Sequence, residues 1–166
     1  MPNWCENELV VEGESQKEIN RFAESHKYKS KDYETDLSFM ADAPTPKPLQ
    51  KLTANGTIRS KMIEKYGASD WYGWRLKNWG TKWDTTDAEL TTWEKHELIY
   101  NFETAWSPPI EWLAKASANY PTLHFRLEYG ESGNYFAGFA TAHAGKVVDK
   151  EIPFKKSGFY HPEDEE

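Results

Sequence analysis

Residues 98–129 read LIYNFETAWSPPIEWLAKASANYPTLHFRLEY, and this stretch contains the pattern that decides the fold. From Leu98 to Thr104 apolar and polar residues alternate, which is the period of a strand with one buried face. Ser107-Pro108-Pro109 interrupts the strand, and proline is well placed at the start of a helix with an apolar stripe around Trp112. A second alternation, from Leu123 to Tyr129, predicts another half-buried strand. The stretch therefore predicts a strand-helix-strand unit.

The N-terminal part of the chain shows the same succession of patterns. Cys5 to Glu12 alternates and predicts a first strand. Ser15, followed three residues later by Glu18, has the spacing of a capping box and predicts the start of a helix. Leu37 to Met40 is a short apolar run, from which we expect a second strand.

The remaining segments complete the predicted fold. Prolines between Ala43 and Pro48 exclude regular structure and begin a helical, Trp-rich insertion at about 43–95. Asn134 to Ala142 and Lys146 to Ile152 predict two more strands. The predicted class is α+β, a ferredoxin-like split βαβ sandwich in which two helices cover one face of an antiparallel sheet. The insertion and an extra C-terminal strand or hairpin are added to this sandwich.

Length and charge limit the domain organisation and the kinds of partner. The 166 residues suit one domain, predicted at 1–160, rather than two. The formal net charge is −7, and residues 161–166 are predicted to be an acidic, disordered tail. Because nucleic-acid binding relies on neutralising phosphates, this acidic balance argues against a long duplex as the partner.

Cysteine content and hydropathy bear on the cellular compartment. Cys5 is the one cysteine in the sequence, which excludes an internal disulfide and a cysteine-rich zinc site. The chain begins without a basic region followed by an apolar stretch, and no run reaches the ~20 apolar residues that a membrane span needs. We therefore expect a cytoplasmic protein that makes no membrane contact.

Motifs for catalysis or metal binding are missing from the sequence. The five histidines show no metal-binding spacing, and the chain has neither a Gly-x-Ser-x-Gly elbow nor a phosphate-binding loop. The sequence predicts no catalytic residue, no metal and no cofactor. His124, Arg126 and Glu128 alternate on the outer side of a strand, where we expect a solvated ladder of charges.

The run from Trp71 to Trp83 contains four of the eight tryptophans. Ser69 or Asp70 is the predicted N-cap of a helix that ends at Gly80. A 3.6-residue period places Tyr72, Leu76 and Trp79 on one face, which we expect to be core. The opposite face and the following residues supply the candidate ligand-binding side chains, which are Trp71, Trp74, Arg75, Asn78 and Lys82.

Two interpretations of this Trp-rich helix stay open at this point. Both of its faces can be packed, since aromatic stripes are more often core. Alternatively, Trp71 and Trp74 form a stacking platform, Arg75 and Lys82 meet an anionic group, and Asn78 reads a polar edge. Exposure of these side chains in the folded protein would distinguish the two interpretations.

Several segments are familiar as a set: MPNWCENEL (1–9), NWGTKWD (78–84), TAWSPP (104–109), and EYGESG (128–133) followed by FAG (136–138). In this order they resemble the YubB ferredoxin-like domain family of plasmid and phage proteins. The resemblance covers nearly the whole chain and implies a ferredoxin-like fold and a mobile-element origin in a bacterial host. These segments contain the motif residues Asn3, Trp4, Asn7, Trp79, Gly80, Trp83, Asp84 and Trp106, for which we expect a structural role.

The functional prediction rests on an aromatic, basic-dotted segment in a chain without a catalytic motif. The principal hypothesis is a non-catalytic binding protein of a phage or plasmid that engages a host protein or a small ligand. One alternative is binding of a nucleotide or a short single-stranded nucleic acid in the same aromatic site, including sequestration of a signalling nucleotide. Another is an enzyme that uses carboxylates gathered on one sheet face, namely Glu6, Glu8, Glu103 and Glu128.

Overall fold

The computed structural model describes residues 1–165, with Glu166 outside the described part of the chain. The strands are β1 (Trp4–Glu12), β2 (Tyr28–Lys29), β3 (Glu34–Thr35), β4 (Glu89–Trp93), β5 (Glu97–Ala105), β6 (His124–Glu131), β7 (Phe136–His143) and β8 (Lys146–Pro153). The α-helices are α1 (Gln16–Ser25), α2 (Lys47–Gln50), α3 (Ser60–Tyr66), α4 (Trp71–Asn78) and α5 (Ile110–Asn119). Short 3-10 helices lie at Phe39–Ala41, Phe154–Lys156 and Pro162–Glu165.

The main sheet has six antiparallel strands in the order β4-β5-β1-β6-β7-β8. Its first four strands, with α1 and α5 as connections, have the chain order βαββαβ of a ferredoxin-like sandwich. The hairpin β7-β8 extends the sheet beyond β6. The predicted fold class and the extra C-terminal hairpin are therefore confirmed.

The core lies between the two long helices and one face of the sheet. In β1 the buried residues Cys5, Asn7, Leu9 and Val11 alternate toward the helices, and Leu98, Tyr100, Phe102 and Thr104 of β5 do the same. The Ser15 hydroxyl accepts a hydrogen bond from the Glu18 N–H at 3.3 Å, as the capping-box spacing predicts. Helix α5 begins directly after Pro109 and buries Trp112, so both helical predictions are confirmed.

The second strand of the sandwich differs from the prediction. Leu37 to Met40 is not a strand, because Phe39–Ala41 forms a 3-10 helix in which the Ser38 hydroxyl caps the N–H of Met40. Leu37 and Phe39 are fully buried, and a short buried apolar run has the same composition in a strand as in a tight helical turn. The second strand is instead the edge strand β4, which alternates only weakly because it has one neighbour.

This difference moves the insertion along the chain. The residues between α1 and β4, about 26–88, make up the insertion, rather than the predicted 43–95. It contains the small β2-β3 hairpin and the helices α2, α3 and α4. The Trp-rich helix α4 therefore lies between the first helix and the second strand of the sandwich.

A buried carboxylate ties the insertion to both long helices. Oδ2 of Asp42 lies 2.6 Å from Nε2 of His26 and accepts a hydrogen bond from the Trp112 indole N–H at 2.9 Å. Oδ1 of Asp42 accepts from the Asn119 amide at 3.1 Å. The second ring nitrogen of His26 donates to the carbonyl of Phe22 at 2.8 Å. The network holds the start of the insertion against α1 and α5.

Three smaller predictions concern the cysteine, the C-terminal tail and membrane-spanning helices. Cys5 is buried and unpaired, and burial raises the pKa of its thiol to about 12, so the thiol is unreactive near neutral pH. The tail predicted to be disordered at 161–166 contains the 3-10 helix Pro162–Glu165, while Glu166 lies outside the described residues. In the described chain, 1–165, none of the helices combines the length and the apolar character needed to span a membrane.

Candidate functional site

Helix α4 forms where the sequence predicts it. The side chain of Asp70 accepts a hydrogen bond from the Gly73 N–H at 2.9 Å and caps the N-terminus. The chain leaves the helix at Gly80, whose φ of 82° favours glycine. The Thr81 hydroxyl then donates to the carbonyl of Ala105, which docks the residues after the helix beside the end of β5.

Trp74 and Leu76 of α4 differ from the prediction, while Trp79 is buried as predicted. Trp74, expected on the ligand-binding face, is 9% exposed and packs edge-on against Trp79. Leu76, expected in the core, is 42% exposed. The indole of Trp74 buries more apolar area than the side chain of Leu76 would, so Trp74 turns inward. Trp74 therefore offers no surface to a ligand.

Arg75 and Asn78 also interact within the protein. The guanidinium carbon of Arg75 lies 5.0 Å from the ring centre of Trp71 and 4.7 Å from that of Trp79, and its Nε donates to the Thr45 hydroxyl. Burial lowers the pKa of Arg75, against the opposing effect of nearby acidic groups. The amide of Asn78 donates to the Trp74 carbonyl at 2.9 Å. These two side chains stabilise the packing of α4.

An exposed row of rings continues from α4 to the start of β1. Trp71 contacts Tyr72 with ring centres 5.8 Å apart, and the Lys82 ammonium lies 5.0 Å from the Tyr72 ring and 4.7 Å from the Trp83 ring. Trp83 in turn contacts Trp4 at 6.2 Å. We call Trp4, Trp71, Tyr72, Lys82 and Trp83 the aromatic surface. It alternates rings with a cation and joins two segments that are distant in sequence.

Two features of the neighbourhood extend the aromatic surface. Trp106 is 47% exposed and its backbone N–H donates to the Asn3 carbonyl at 2.9 Å, which places another indole at the same end of the sheet. On the other side, residues 50–54 form a groove of about 470 Å³ with Trp71, Tyr72 and Lys82. A groove of this size accommodates a small ligand or a side chain of a partner protein.

The sequence identified part of this surface and missed part of it. Trp71 and Lys82 belong to the predicted set. Tyr72 was expected in the core, and a structural role was expected for the motif residues Trp4 and Trp83. The sequence did contain a signal for the exposure of Trp4. Trp4 lies two residues before Glu6 in β1, so both side chains point to the same, exposed side of the strand. The contact of Trp4 with Trp83 depends on how the insertion docks, which no local pattern reports.

The other motif residues have structural contacts. The amide of Asn7 is buried and donates to the Cys5 carbonyl and to the Thr104 hydroxyl, each at 2.9 Å, as expected for a buried strand amide. Trp79 is fully buried, and its indole N–H donates to the Ala43 carbonyl at 2.9 Å. Asp84 accepts from the Ser38 hydroxyl at 2.6 Å and from the Phe39 N–H at 2.8 Å.

The burial of Asp84 predicts how the stability of the protein depends on pH. Burial raises the pKa of this carboxyl, although its hydrogen bonds and Arg75 act in the opposite direction. The native state therefore holds the proton more tightly than the unfolded chain does, and its stabilising effect is lost as the pH rises from the ordinary value of 3.8. We expect the free energy of unfolding of the native protein, relative to Asp84→Asn, to fall as the pH rises through this range.

Urea denaturation of both proteins at a series of pH values measures this difference. Asp32→Asn is the matched control, because it removes an exposed carboxyl in place of the one that is hydrogen-bonded to Ser38 and Phe39. If the free energy of unfolding of the native protein, relative to Asp84→Asn, rises with pH, the prediction is wrong. Such a rise would mean that hydrogen bonding outweighs burial in setting the pKa of this carboxyl.

The carboxylates considered for catalysis do share one sheet face. Glu6 lies opposite Glu103 across β1 and β5, and Glu8 lies opposite Glu128 across β1 and β6. Burial and the charges of Asp87 and Glu6 raise the pKa of Glu103. Glu6 and Glu103 face solvent beside open grooves of about 290 Å³ and 570 Å³, and Glu8 and Glu128 line neither of these two grooves. Over the same described range no group of three or more His, Cys, Asp or Glu is arranged to hold a metal ion.

Comparisons with known proteins agree with the observed fold. The crystal structure of protein Api92 from Yersinia pseudotuberculosis superposes with a TM-score of 0.53 at 13% sequence identity, over 92% of this chain and 98% of that chain. At this identity the likeness concerns the fold alone. A comparison with curated proteins finds no significant match.

A family model described as the ferredoxin-like domain in Api92-like protein matches residues 78–166, more than half of the chain. The matched range holds β4 to β8 and α5, and the sheet that these strands form is completed in its centre by β1. The chain therefore belongs to the family of Api92-like proteins that share this ferredoxin-like domain.

Proposed function

We propose that this protein is a non-catalytic binding protein that engages a host protein through its aromatic surface. The proposal rests on one observation: the rings of the aromatic surface stay partly or largely exposed in the folded protein. Trp4 is 40% exposed and Trp83 37%, whereas Trp79 and Trp112 are completely buried. Tryptophan and tyrosine dominate the binding energy of protein interfaces because they bury a large area for little loss of rotamer freedom.

The charges of the aromatic surface indicate the chemistry of the partner. Lys82 lies over two rings with its ammonium partly exposed, so the surface combines apolar area with a positive charge. An apolar anchor flanked by an acidic residue is complementary to this arrangement. The groove at Trp71 and Tyr72 has room for the anchor.

Capture of proteins from a bacterial lysate tests the proposal. Native protein, Trp83→Ala and Trp93→Ala serve as baits, and captured proteins are quantified by mass spectrometry. Trp93 is the matched control because its exposed fraction, 42%, is similar to that of Trp83. Trp93 lies on β4, where its indole N–H donates to the Asn20 side chain. We expect Trp83→Ala to reduce capture of the specific partner about tenfold or more, while Trp93→Ala retains it. Equal loss with both variants, or no loss with either, would contradict the proposal.

A second candidate function is the binding of a nucleotide in the groove beside Trp71. Its support is the combination of stackable rings with a lysine, since one stacked base contributes about 1–3 kcal/mol and a phosphate adds a charge contact. Calorimetric titration with a nucleotide panel tests it, with Lys82→Met as the variant and the exposed Lys77→Met on α4 as the control. Absence of heat at about 1 mM nucleotide would exclude this function.

The setting that fits the proposed function is the cytoplasm of a bacterial host, with the protein encoded by a phage or plasmid of the kind that carries YubB-like proteins. The motif segments NWGTKWD and TAWSPP support this inference. Location of the coding sequence within a phage or plasmid genome is the observation that would test it.

A further inference from the structure

A groove on the helix-free face of the sheet lies at the opposite end of β1 from the aromatic surface. It has a volume of about 500 Å³ and crosses β1, β6, β7 and β8. Val10 and Val148 contribute apolar surface, and the basic side chains of Arg126, His124, His143 and Lys146 line it. This volume is within the range of small-molecule sites.

The register of three strands gathers these basic groups. His124 lies directly opposite His143 across β6 and β7, and His143 lies opposite Lys146 across β7 and β8. The two imidazoles stack with ring centres 4.1 Å apart and planes 5° from parallel. Nδ1 of His143 donates to the Leu123 carbonyl at 3.1 Å, which fixes the ring and leaves Nε2 for a ligand.

Positive charge exceeds negative charge among the described residues that line the groove, where Glu12 lies opposite His124. Among the described residues that line it, Glu12 is the one carboxylate. Across residues 1–165, neither Arg126 nor Lys146 makes a side-chain hydrogen bond or ion pair. Glu128 and Glu8 face each other farther along the same sheet face. The groove therefore has unpaired cations beside apolar walls in a chain whose formal charge is −7.

We propose that this groove binds a phosphate monoester of a small apolar or planar group. The phosphate accepts hydrogen bonds from the Arg126 guanidinium and the Lys146 ammonium, and a dianion satisfies both charges better than a monoanionic carboxylate does. The stacked imidazoles and Val148 contact the apolar part. The site goes beyond the proposed function and is independent of it, because its residues lie away from the aromatic surface.

Titration of the full-length protein with phenyl phosphate, by calorimetry and by the histidine ring signals in NMR spectra, tests the site. Arg126→Met and Lys146→Met should each weaken binding about tenfold. Lys150→Met is the matched control, because Lys150 is exposed on the same face of the same strand but does not line the groove. We expect this control to change affinity by less than about twofold. All three positions are exposed, and a thermal melt of each variant verifies folding.

Comparison of phenyl phosphate with related ligands shows which part of the ligand the groove recognises. We expect benzoate to bind more weakly than phenyl phosphate, and benzyl alcohol not to bind. Inorganic phosphate that binds as tightly as phenyl phosphate would overturn the role of the apolar walls. Failure of phenyl phosphate to bind at about 10 mM would overturn the site as a whole. Equal weakening by Lys146→Met and Lys150→Met would do so as well, since it would show only diffuse attraction between charges.

Discussion

Replacing Asp42 with alanine is expected to lower the free energy of unfolding by about 3–5 kcal/mol. The carboxylate is 2% exposed and lies within hydrogen-bond distance of the buried His26 ring and the buried Trp112 indole. Without it, two buried polar groups from α1 and α5 lose their partner in surroundings that water does not reach. The insertion, α1 and α5 would lose their shared polar contact at the same time.

Equilibrium unfolding in urea, followed by tryptophan fluorescence and circular dichroism, measures this loss. Asp42→Asn retains the shape and one acceptor oxygen, so it should lie between the native protein and Asp42→Ala. Asn119→Ala removes the exposed partner of the same carboxylate and should cost less than about 1 kcal/mol. A loss below about 1 kcal/mol for Asp42→Ala would show that the network does not stabilise the fold.

Trp79→Ala is expected to destabilise the protein by about 3–5 kcal/mol, while Trp83→Ala, four residues away, should cost less than about 1.5 kcal/mol. Trp79 has no exposed surface, packs against Phe39 and donates its indole N–H to the Ala43 carbonyl. Alanine at this position leaves a cavity and an unpaired buried carbonyl. Trp83 is 37% exposed and loses mainly its contact with Trp4.

Paired urea denaturation curves for the two variants give both values, and the binding assays show the reverse order of effects. Trp83→Ala should impair capture of a partner at little cost in stability. Trp79→Ala affects capture only as far as it unfolds the protein. Similar losses of stability for the two variants would contradict the division of the Trp-rich run into a buried part and an exposed part.

Local sequence patterns predicted those helices and strands of the sandwich that have one solvent-exposed face and one buried face. In β5 the residues Leu98, Tyr100 and Phe102 alternate with polar ones because the helices cover a single side of the sheet. The same holds for β6, and the stripe around Trp112 predicted α5 for the equivalent reason. Strand β4 was missed because it lies at the edge, where its residues are only partly buried and the period is weak.

The faces of α4 could not be predicted from its sequence. Tyr72 with Leu76, and Trp74 with Trp71, give two apolar faces of similar strength on an eight-residue helix. The choice between them depends on which face fits against Phe39, Ala43 and the end of β5, and these groups are distant along the chain. Burial of the Trp74 indole against Trp79 decided the orientation, and Leu76 turned to solvent as a result.

The two candidate sites depend on contacts between segments far apart in sequence. Trp4 meets Trp83 only because the insertion docks beside the start of β1, and Arg126 and Lys146 line one groove only through the pairing of three strands. The sequence by itself determined the ferredoxin-like class and the caps at Ser15 and Asp70, since alternation and capping act over a few residues. Tertiary structure alone decided which rings and cations share a surface, because side-chain packing and strand register bring together groups that no local period connects.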